Sequence, residues 1–485
     1  MKMRSLNGHA GNSVLKTATL VGLILVNPLM ACEKGNSGGG TPTPTGTVEQ
    51  VFTRADRSVL LEKQAAKLAF NATAGGPEIE VDESVTYQPV EGFGYTLTGS
   101  SALLIQGMGA SQRAALLNEL FGTGENSVGI SYLRLSMGAS DLSPYVFSYN
   151  DLDPGQTDET LSKFSLAEDT VDLIPLIKQI QTIRPDIKFM ASPWSAPAWM
   201  KTNGSSIGGR LQTRYYGVYA QYFVKYIQAM KSRGIEIDAV TVQNEPEHGG
   251  NNPSMLMSAA EQTIFVRDHL GPAFRAAGLT TKIIIWDHNC NNPNFPITVM
   301  NDAAAKAFVH GSAFHLYAGD ISAMSQVHDA HPDRALYFTE QWTGANGSFA
   351  GDFMWHIRNV IIGSMRNWAR TALEWNLANN PSFGPATPGG CTQCMGAVTI
   401  DGSNVQRNVS YYIIAQVARF VPPGSMVIKS MSPGNITQAA FKTPDGKRVL
   451  LVMNDAGTAI NFKIKWKNTY AAATLPAGTV ATYIW

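Results

Sequence analysis

Between residues 93 and 375 the chain repeats one pattern eight times: a short apolar run, then a stretch compatible with a helix. The short runs lie at 93–97, 130–135, 188–191, 239–242, 282–286, 313–317, 335–339 and 372–375. Runs this short and this apolar suit strands covered on both faces, as in parallel sheets. Between them, Leu173, Ile174, Ile177 and Ile180 form a stripe at helical spacing that closes at Arg184-Pro185. Tyr219, Tyr222, Phe223, Tyr226, Ile227 and Met230 form another, and Gly234 sits where such a helix stops. Ser258 with Glu261 has the spacing of a capping box ahead of Ile264 and Phe265. Eight strands alternating with helices predict an α/β fold, a closed (β/α)8 TIM barrel over residues 91–418. The apolar stripes are read as helix faces turned to the core, without chemistry of their own.

Beyond residue 418 the period changes. Residues 448–453, 460–466 and 480–485 are strand-like runs, with alternation of apolar and polar positions clearest in 460–466, and are separated by Pro, Gly, Asn and Asp. This predicts antiparallel strands of a small β-sandwich over 419–485. The segment 48–90 is mixed, but its strand-like runs 79–81 and 85–87 are candidates to join the sandwich from the other end of the chain.

The first 31 residues read as a targeting segment: Lys2, Arg4 and Lys16 are basic, and 19–26 is an apolar run too short for a permanent span. Leu29-Met30-Ala31-Cys32 resembles a bacterial lipoprotein cleavage box, which implies lipidation of Cys32. Residues 32–47 include GNSGGGTPTPTG, a flexible and then stiffened tether. The expectation is an exported protein, lipid-anchored in a bacterial envelope and touching the membrane through that anchor alone. Lys+Arg and Asp+Glu both number 37, so no basic excess points to nucleic acid, and a monomer is expected. Cys391 and Cys394 lie in a Gly/Pro-rich loop with no second pair to complete a zinc site, so a local disulfide is the better reading. One cysteine is then left over, Cys290.

In such a barrel the chemistry gathers at the C-terminal ends of the strands. There the sequence places Arg134 and Asp141, Pro193-Trp194, Asn244-Glu245-Pro246, Asp287-His288-Asn289, His315 and Tyr317, Glu340-Gln341-Trp342, and Trp375-Asn376. Carboxylates beside indoles are surroundings that suit a sugar, whose hydroxyls need polar partners and whose C–H face stacks on an aromatic ring. Glu245 and Glu340 follow the fourth and seventh strands, which face each other across one mouth. A retaining glycosidase needs two carboxyl groups about 5–5.5 Å apart, one to protonate the leaving oxygen and one to attack. His248 reads equally as an aglycone-side residue or a solvated one. Asp287-His288-Asn289 imitates a metal cluster, but 93–98 lacks the His-x-His of barrel metal hydrolases, so no metal or other cofactor is expected.

Seven motifs in order resemble glycoside hydrolase family 30, which includes lysosomal-type glucosylceramidases and microbial β-1,6-glucanases. They are Glu91-Gly92-Phe93-Gly94, Arg134-Leu135-Ser136-Met137, Ala191-Ser192-Pro193-Trp194-Ser195-Ala196-Pro197, Gln243-Asn244-Glu245-Pro246-Glu247, His315-Leu316-Tyr317, Thr339-Glu340-Gln341-Trp342 and Glu374-Trp375-Asn376-Leu377. The resemblance implies Glu245 as acid/base and Glu340 as nucleophile, with Asn244 on the sugar 2-hydroxyl. It implies Arg134 as the cation that orients Glu340 and keeps it ionised, Trp194 and Trp375 as walls, and Asp141 on distal hydroxyls. His315 and Tyr317 would line the pocket, Tyr317 being the better candidate to touch the nucleophile, and Trp342 would platform a sugar beyond the cleavage point. Glu374 stands where some relatives have aspartate and receives no role. The expected activity is an endo-β-1,6-glucanase; the alternatives are a glucosylceramidase or exo-β-glucosidase, and, from another class, a non-catalytic glycan-binding lipoprotein. An amide hydrolase would need a metal or a nucleophile elbow that the sequence does not supply.

Overall fold

The computed structural model describes residues 46–432, 434 and 436–485. The leader, Cys32 and the tether through residue 45 lie outside the described residues. Eight strands close a barrel: β1 Gly92–Leu97, β2 Tyr132–Ser136, β3 Lys188–Ser192, β4 Ala239–Thr241, β5 Lys282–Cys290, β6 Val309–Gly319, β7 Ala335–Glu340 and β8 Ala369–Asn376. Each pairs in parallel with the next, and β8 returns to β1. The barrel with its sandwich is therefore the fold expected from the periodicity. The helices Leu173–Ile183 and Tyr216–Lys231 bury the predicted stripes, and Ser258 and Glu261 form a reciprocal capping box.

Strand alternation sorts the interior. Tyr132, Met190, Ala239, Ile284, Ala313, Ala335, Tyr337 and Leu373 form a packed layer inside the barrel. Two residues further along, Arg134, Ser192, Thr241, His315, Thr339 and Trp375 point the same way by period-two geometry. Strand β5 breaks the rule. Trp286 and Asp287 both have positive φ, 71° and 64°, and the pairing with β6 skips a residue there, from Ala313↔Trp286 to Phe314↔His288. This bulge sends the Trp286 ring outward against Phe295, with ring centroids 4.5 Å apart, and brings the Asp287 carboxylate into the barrel.

The sandwich uses both ends of the described chain. Thr47–Arg54 pairs antiparallel with Thr479–Ile484, and the long strand Glu78–Pro89 lies between Met426–Met431 and Ile460–Trp466. Thr47–Arg54 shows no alternation in the sequence because its residues are buried on both faces. Val48, Phe52, Ile79, Ile428, Leu450, Phe462, Ile464 and Tyr483 share its core. Among the described residues no helix is long and apolar enough to cross a membrane.

Candidate active site

The charged floor of the site begins with Arg134, fully buried on β2. Its guanidinium donates from Nη1 to Glu340 Oε2 (2.5 Å), from Nη2 to Asn244 Oδ1 (2.6 Å) and Asp287 Oδ2 (2.8 Å), and from Nε to Ser192 Oγ (3.1 Å). Asp287 is its counterion. It accepts as well from Thr241 (2.7 Å), Ser192 (3.1 Å), Thr339 (2.7 Å) and the His315 ring at Nε2 (3.1 Å). Burial would raise this carboxyl, but Arg134 and His315 hold it far below the usual carboxylate range.

Above the floor stand two carboxylates. Oxygens of Glu245 and Glu340 and a ring nitrogen of His315 all lie within 4.8 Å of one another, the close spacing that double displacement requires. Among the described residues this set also has the spacing of a metal site, but its atoms already serve one another: His315 Nδ1 is 3.3 Å from Glu245 Oε1 and 3.8 Å from Glu340 Oε1. Glu245 has φ of 46°, a left-handed conformation costly for a side-chain residue. Its N–H donates to the Asp287 carbonyl (3.0 Å) and its carbonyl accepts from His248 N–H (2.9 Å), which fix the turn. Asn244, held by its Oδ1 on Arg134, keeps its Nδ2 donor for a ligand. The Tyr317 hydroxyl donates to Glu340 Oε1 at 3.0 Å, and the residue is 38% exposed.

The charges in this set act on one another. Burial disfavours a charged His315, but Glu340, Asp287 and Glu245 outweigh it and raise the ring to about 9. Burial acts upward on Glu245, yet the hydrogen bond and charge of His315 draw it below its ordinary value. The proton of the His315–Glu245 hydrogen bond therefore rests on His315, with Glu245 as its carboxylate partner. Glu340 moves the other way from the expectation based on Arg134 alone. Arg134 and His315 do lower it, but burial is the larger effect and Glu245 and Asp287 add to it, so Glu340 is raised. Asp141, raised to about 7 by burial and the charges of Glu340 and Glu245, is a third carboxyl facing the same space.

These groups line a cavity of about 300 Å³. Trp194 and Trp375 stand with ring centroids 5.5 Å apart, and Arg134 lies 4.7 Å behind the Trp194 ring. Leu142 and Cys394 pack with them, and Trp342 and Cys391 sit on the edge of this cluster. Cys391 and Cys394 form a disulfide, and Cys290 is free and buried. The disulfide loop is docked on its neighbours: Thr387 N–H donates to the Asp141 carbonyl (3.0 Å) and Ala345 N–H to the Gln393 carbonyl (2.9 Å).

All ten pocket residues named from the sequence, Arg134, Asp141, Trp194, Asn244, Glu245, His315, Tyr317, Glu340, Trp342 and Trp375, thus converge on one cavity or its floor. Trp342 stands on the tryptophan wall. Glu374 does not take part: alternation on β8 turns it outward to His356 Nδ1, at 2.8 Å. Asp287, which the sequence places at the mouth without a role, is the counterion of the floor. A carboxylate directly after Ile283-Ile284-Ile285-Trp286 was the available signal.

Comparison with known proteins agrees with this geometry. Residues 90–421 match the Glycosyl hydrolase family 30 TIM-barrel domain and residues 424–483 the Glycosyl hydrolase family 30 beta sandwich domain. The chain is 33% identical over 425 residues to Endo-1,6-beta-D-glucanase neg1 of Aspergillus fumigatus, covering 82% of this chain and 85% of that one. It is 27% identical over 453 residues to the Lysosomal acid glucosylceramidase of Mus musculus, covering 88% and 86%. Among solved structures, the endo-beta1,6-glucanase BT3312 superposes with a TM-score of 0.84 at 34% identity, over 91% of this chain and 99% of that one. The chain belongs to glycosyl hydrolase family 30 and is a retaining glycoside hydrolase.

Proposed function

We propose that the protein is an endo-β-1,6-glucanase with Glu340 as nucleophile and Glu245 as acid/base. The observation that carries the mechanism is the carboxylate pair, within 4.8 Å, set against the Trp194–Trp375 wall. A glucosyl ring stacks on that wall with its anomeric carbon over Glu340. Arg134 and Tyr317 orient the two Glu340 oxygens, so one lone pair faces the carbon. As the glycosidic bond breaks, the proton of the His315–Glu245 hydrogen bond reaches the leaving oxygen through Glu245, which is left as the carboxylate beside a neutral His315. Positive charge develops on the ring, and the Asn244 amide donates to the 2-hydroxyl most strongly at that moment. The glycosyl–Glu340 ester is then opened by water, from which Glu245 removes a proton. Trp342, at the edge of the wall, offers a face to a second sugar.

The β-1,6-glucan preference is supported by the identity to the Aspergillus fumigatus enzyme and by the likeness to BT3312. The glucosylceramidase reading is supported by the more distant mammalian relative. Retention of both carboxylates argues against a binding protein without turnover. Incubation with a linear β-1,6-glucan should give a ladder of oligosaccharides before glucose accumulates. Glucose as the only early product would make the enzyme exo-acting, and cleavage of glucosylceramide without attack on the glucan would give the function to the other branch. We also propose, from the sequence around Cys32, that the mature protein is exported and held by a lipid anchor, its tether setting the barrel off the membrane.

A further inference from the structure

The cavity has two chemically different sides. The tryptophan side is built from β2, β3, β7 and β8 and their loops. The other side comes from the adjacent β4, β5 and β6 and is lined by His248, Asn251, His288, Asn289 and the flank of Tyr317, with neither tryptophan nor aliphatic side chain. We propose that this polar arc is the leaving-group subsite and that it selects a hydroxylated leaving group, a sugar, over an alkyl chain. The inference rests on Glu245 being the acid, as proposed above.

The leaving oxygen must meet the acid carboxyl, so whatever is bonded to that oxygen falls among the neighbours of Glu245. Asn251 Nδ2 donates to Glu245 Oε2 at 3.3 Å, and His288 Nε2 is 4.0 Å from Oε1. Asn251 therefore turns its carbonyl oxygen away from Glu245 as an acceptor. The His288 Nδ1 is buried with no hydrogen-bond partner among the described residues, and the ring lines the cavity. With its pKa drawn down to about 4 by burial, His288 is a neutral ring with one donor and one acceptor nitrogen, and not a second cation. Asn289 accepts the Tyr317 N–H on Oδ1 (2.9 Å), which leaves its Nδ2 as a donor. Three side chains thus offer donors and acceptors that a sugar's hydroxyls satisfy and a hydrocarbon leaves unpaired. Sites of that kind discriminate strongly against analogues lacking the polar group.

The arc is also prebuilt. The loop carrying His248 and Asn251 is tied to the disulfide loop by Asn252 Nδ2 to the Pro388 carbonyl (3.1 Å) and Thr387 Oγ1 to the Asn252 carbonyl (2.5 Å). Little ordering is left for the moment of binding.

The test compares a β-1,6-linked glucose disaccharide with octyl β-glucoside, which has the same glycone. In the variant His248→Leu/Asn251→Leu, kcat/KM for the disaccharide should fall about tenfold or more beyond its fall for octyl β-glucoside, which needs the same proton from Glu245 but no partner in the arc. The octyl-to-disaccharide ratio should rise. His248→Gln/Asn251→Ser, which keeps polar groups, should recover most of the difference. The exposed single variant His248→Leu guards against misfolding of the double variant and should show the same sign. Equal losses on octyl glucoside and disaccharide overturn the inference, as does a wild-type enzyme that prefers the octyl glucoside. Failure of the wild type on β-1,6-glucan with normal disaccharide selectivity would instead count against the glucanase reading alone.

Discussion

Replacing Asp287 by alanine should damage both stability and the proton balance of the site. The carboxylate is fully buried and accepts from Arg134, His315, Ser192, Thr241 and Thr339. Three of those donors are hydroxyls that can rotate to other acceptors. The guanidinium and the imidazolium have no such freedom. Removing one partner of a buried ion pair costs about 3–5 kcal/mol, because the remaining charge stays out of water. That is a large part of the roughly 5–15 kcal/mol by which a domain is stable. Urea unfolding at pH 7 should show the full deficit. Its pH dependence follows from linkage. His315 is raised from 6.5 to about 9, so its contribution is complete below 6.5 and is lost as pH rises through about 9. The gap between wild type and Asp287→Ala should therefore narrow on the alkaline side of pH 9. Asp287→Asn keeps the shape but cannot accept from both Arg134 and His315, so it should show the same effect, smaller, with the alkaline limb of kcat/KM moved to lower pH. An Asp287→Ala protein within about 1 kcal/mol of wild type, with its alkaline limb unmoved, would refute this reasoning.

The two glutamates should fail differently. Glu245→Ala should lose roughly 10²–10⁴-fold on unactivated substrates, keep turnover with good leaving groups, and yield a β-azide on rescue; Glu340→Ala should be nearly dead on everything and yield an α-azide. Wild-type turnover by either variant on an unactivated glucoside would remove it from the mechanism. The pH profile of kcat/KM should be a bell. Its acid limb should lie above the ordinary glutamate value of 4.5, since activity is lost as pH falls through the raised Glu340, and its alkaline limb should lie near 9, where the His315–Glu245 pair gives up its proton. Cys32→Ala should release the protein from membranes in detergent partitioning without changing kcat/KM; continued partitioning of the variant with the membrane would overturn the anchor.

Much of this was legible before any coordinates, because a parallel barrel announces itself twice. Strands buried on both faces read as short apolar runs, and residues at their C-terminal ends face one mouth whatever their separation in sequence. That is why Glu245 and Glu340 could be paired across 95 positions. The sandwich was harder. Thr47–Arg54 is covered on both sides and carries no alternation to recognise. Asp287 was legible as a residue of the mouth, but not as the buried partner of Arg134, for a sharper reason. Period-two counting along β5 sends Trp286 inward and Asp287 outward, and two residues at positive φ reverse that phase. No sequence period encodes such a bulge. At Glu374, whose role the sequence left open, β8 is regular and alternation turns the side chain outward to His356. The net direction of Glu340 was equally out of reach, because the sequence shows its cation but not its burial or its distance from Glu245.

The central claim is double displacement through Glu340. Proton NMR of the first minutes of hydrolysis of an aryl β-glucoside, before mutarotation, tests it most directly. The account predicts the β-anomer of glucose as the first product, the α-anomer following only by mutarotation. Initial release of the α-anomer would mean that water, not Glu340, attacks the anomeric carbon, and would contradict it.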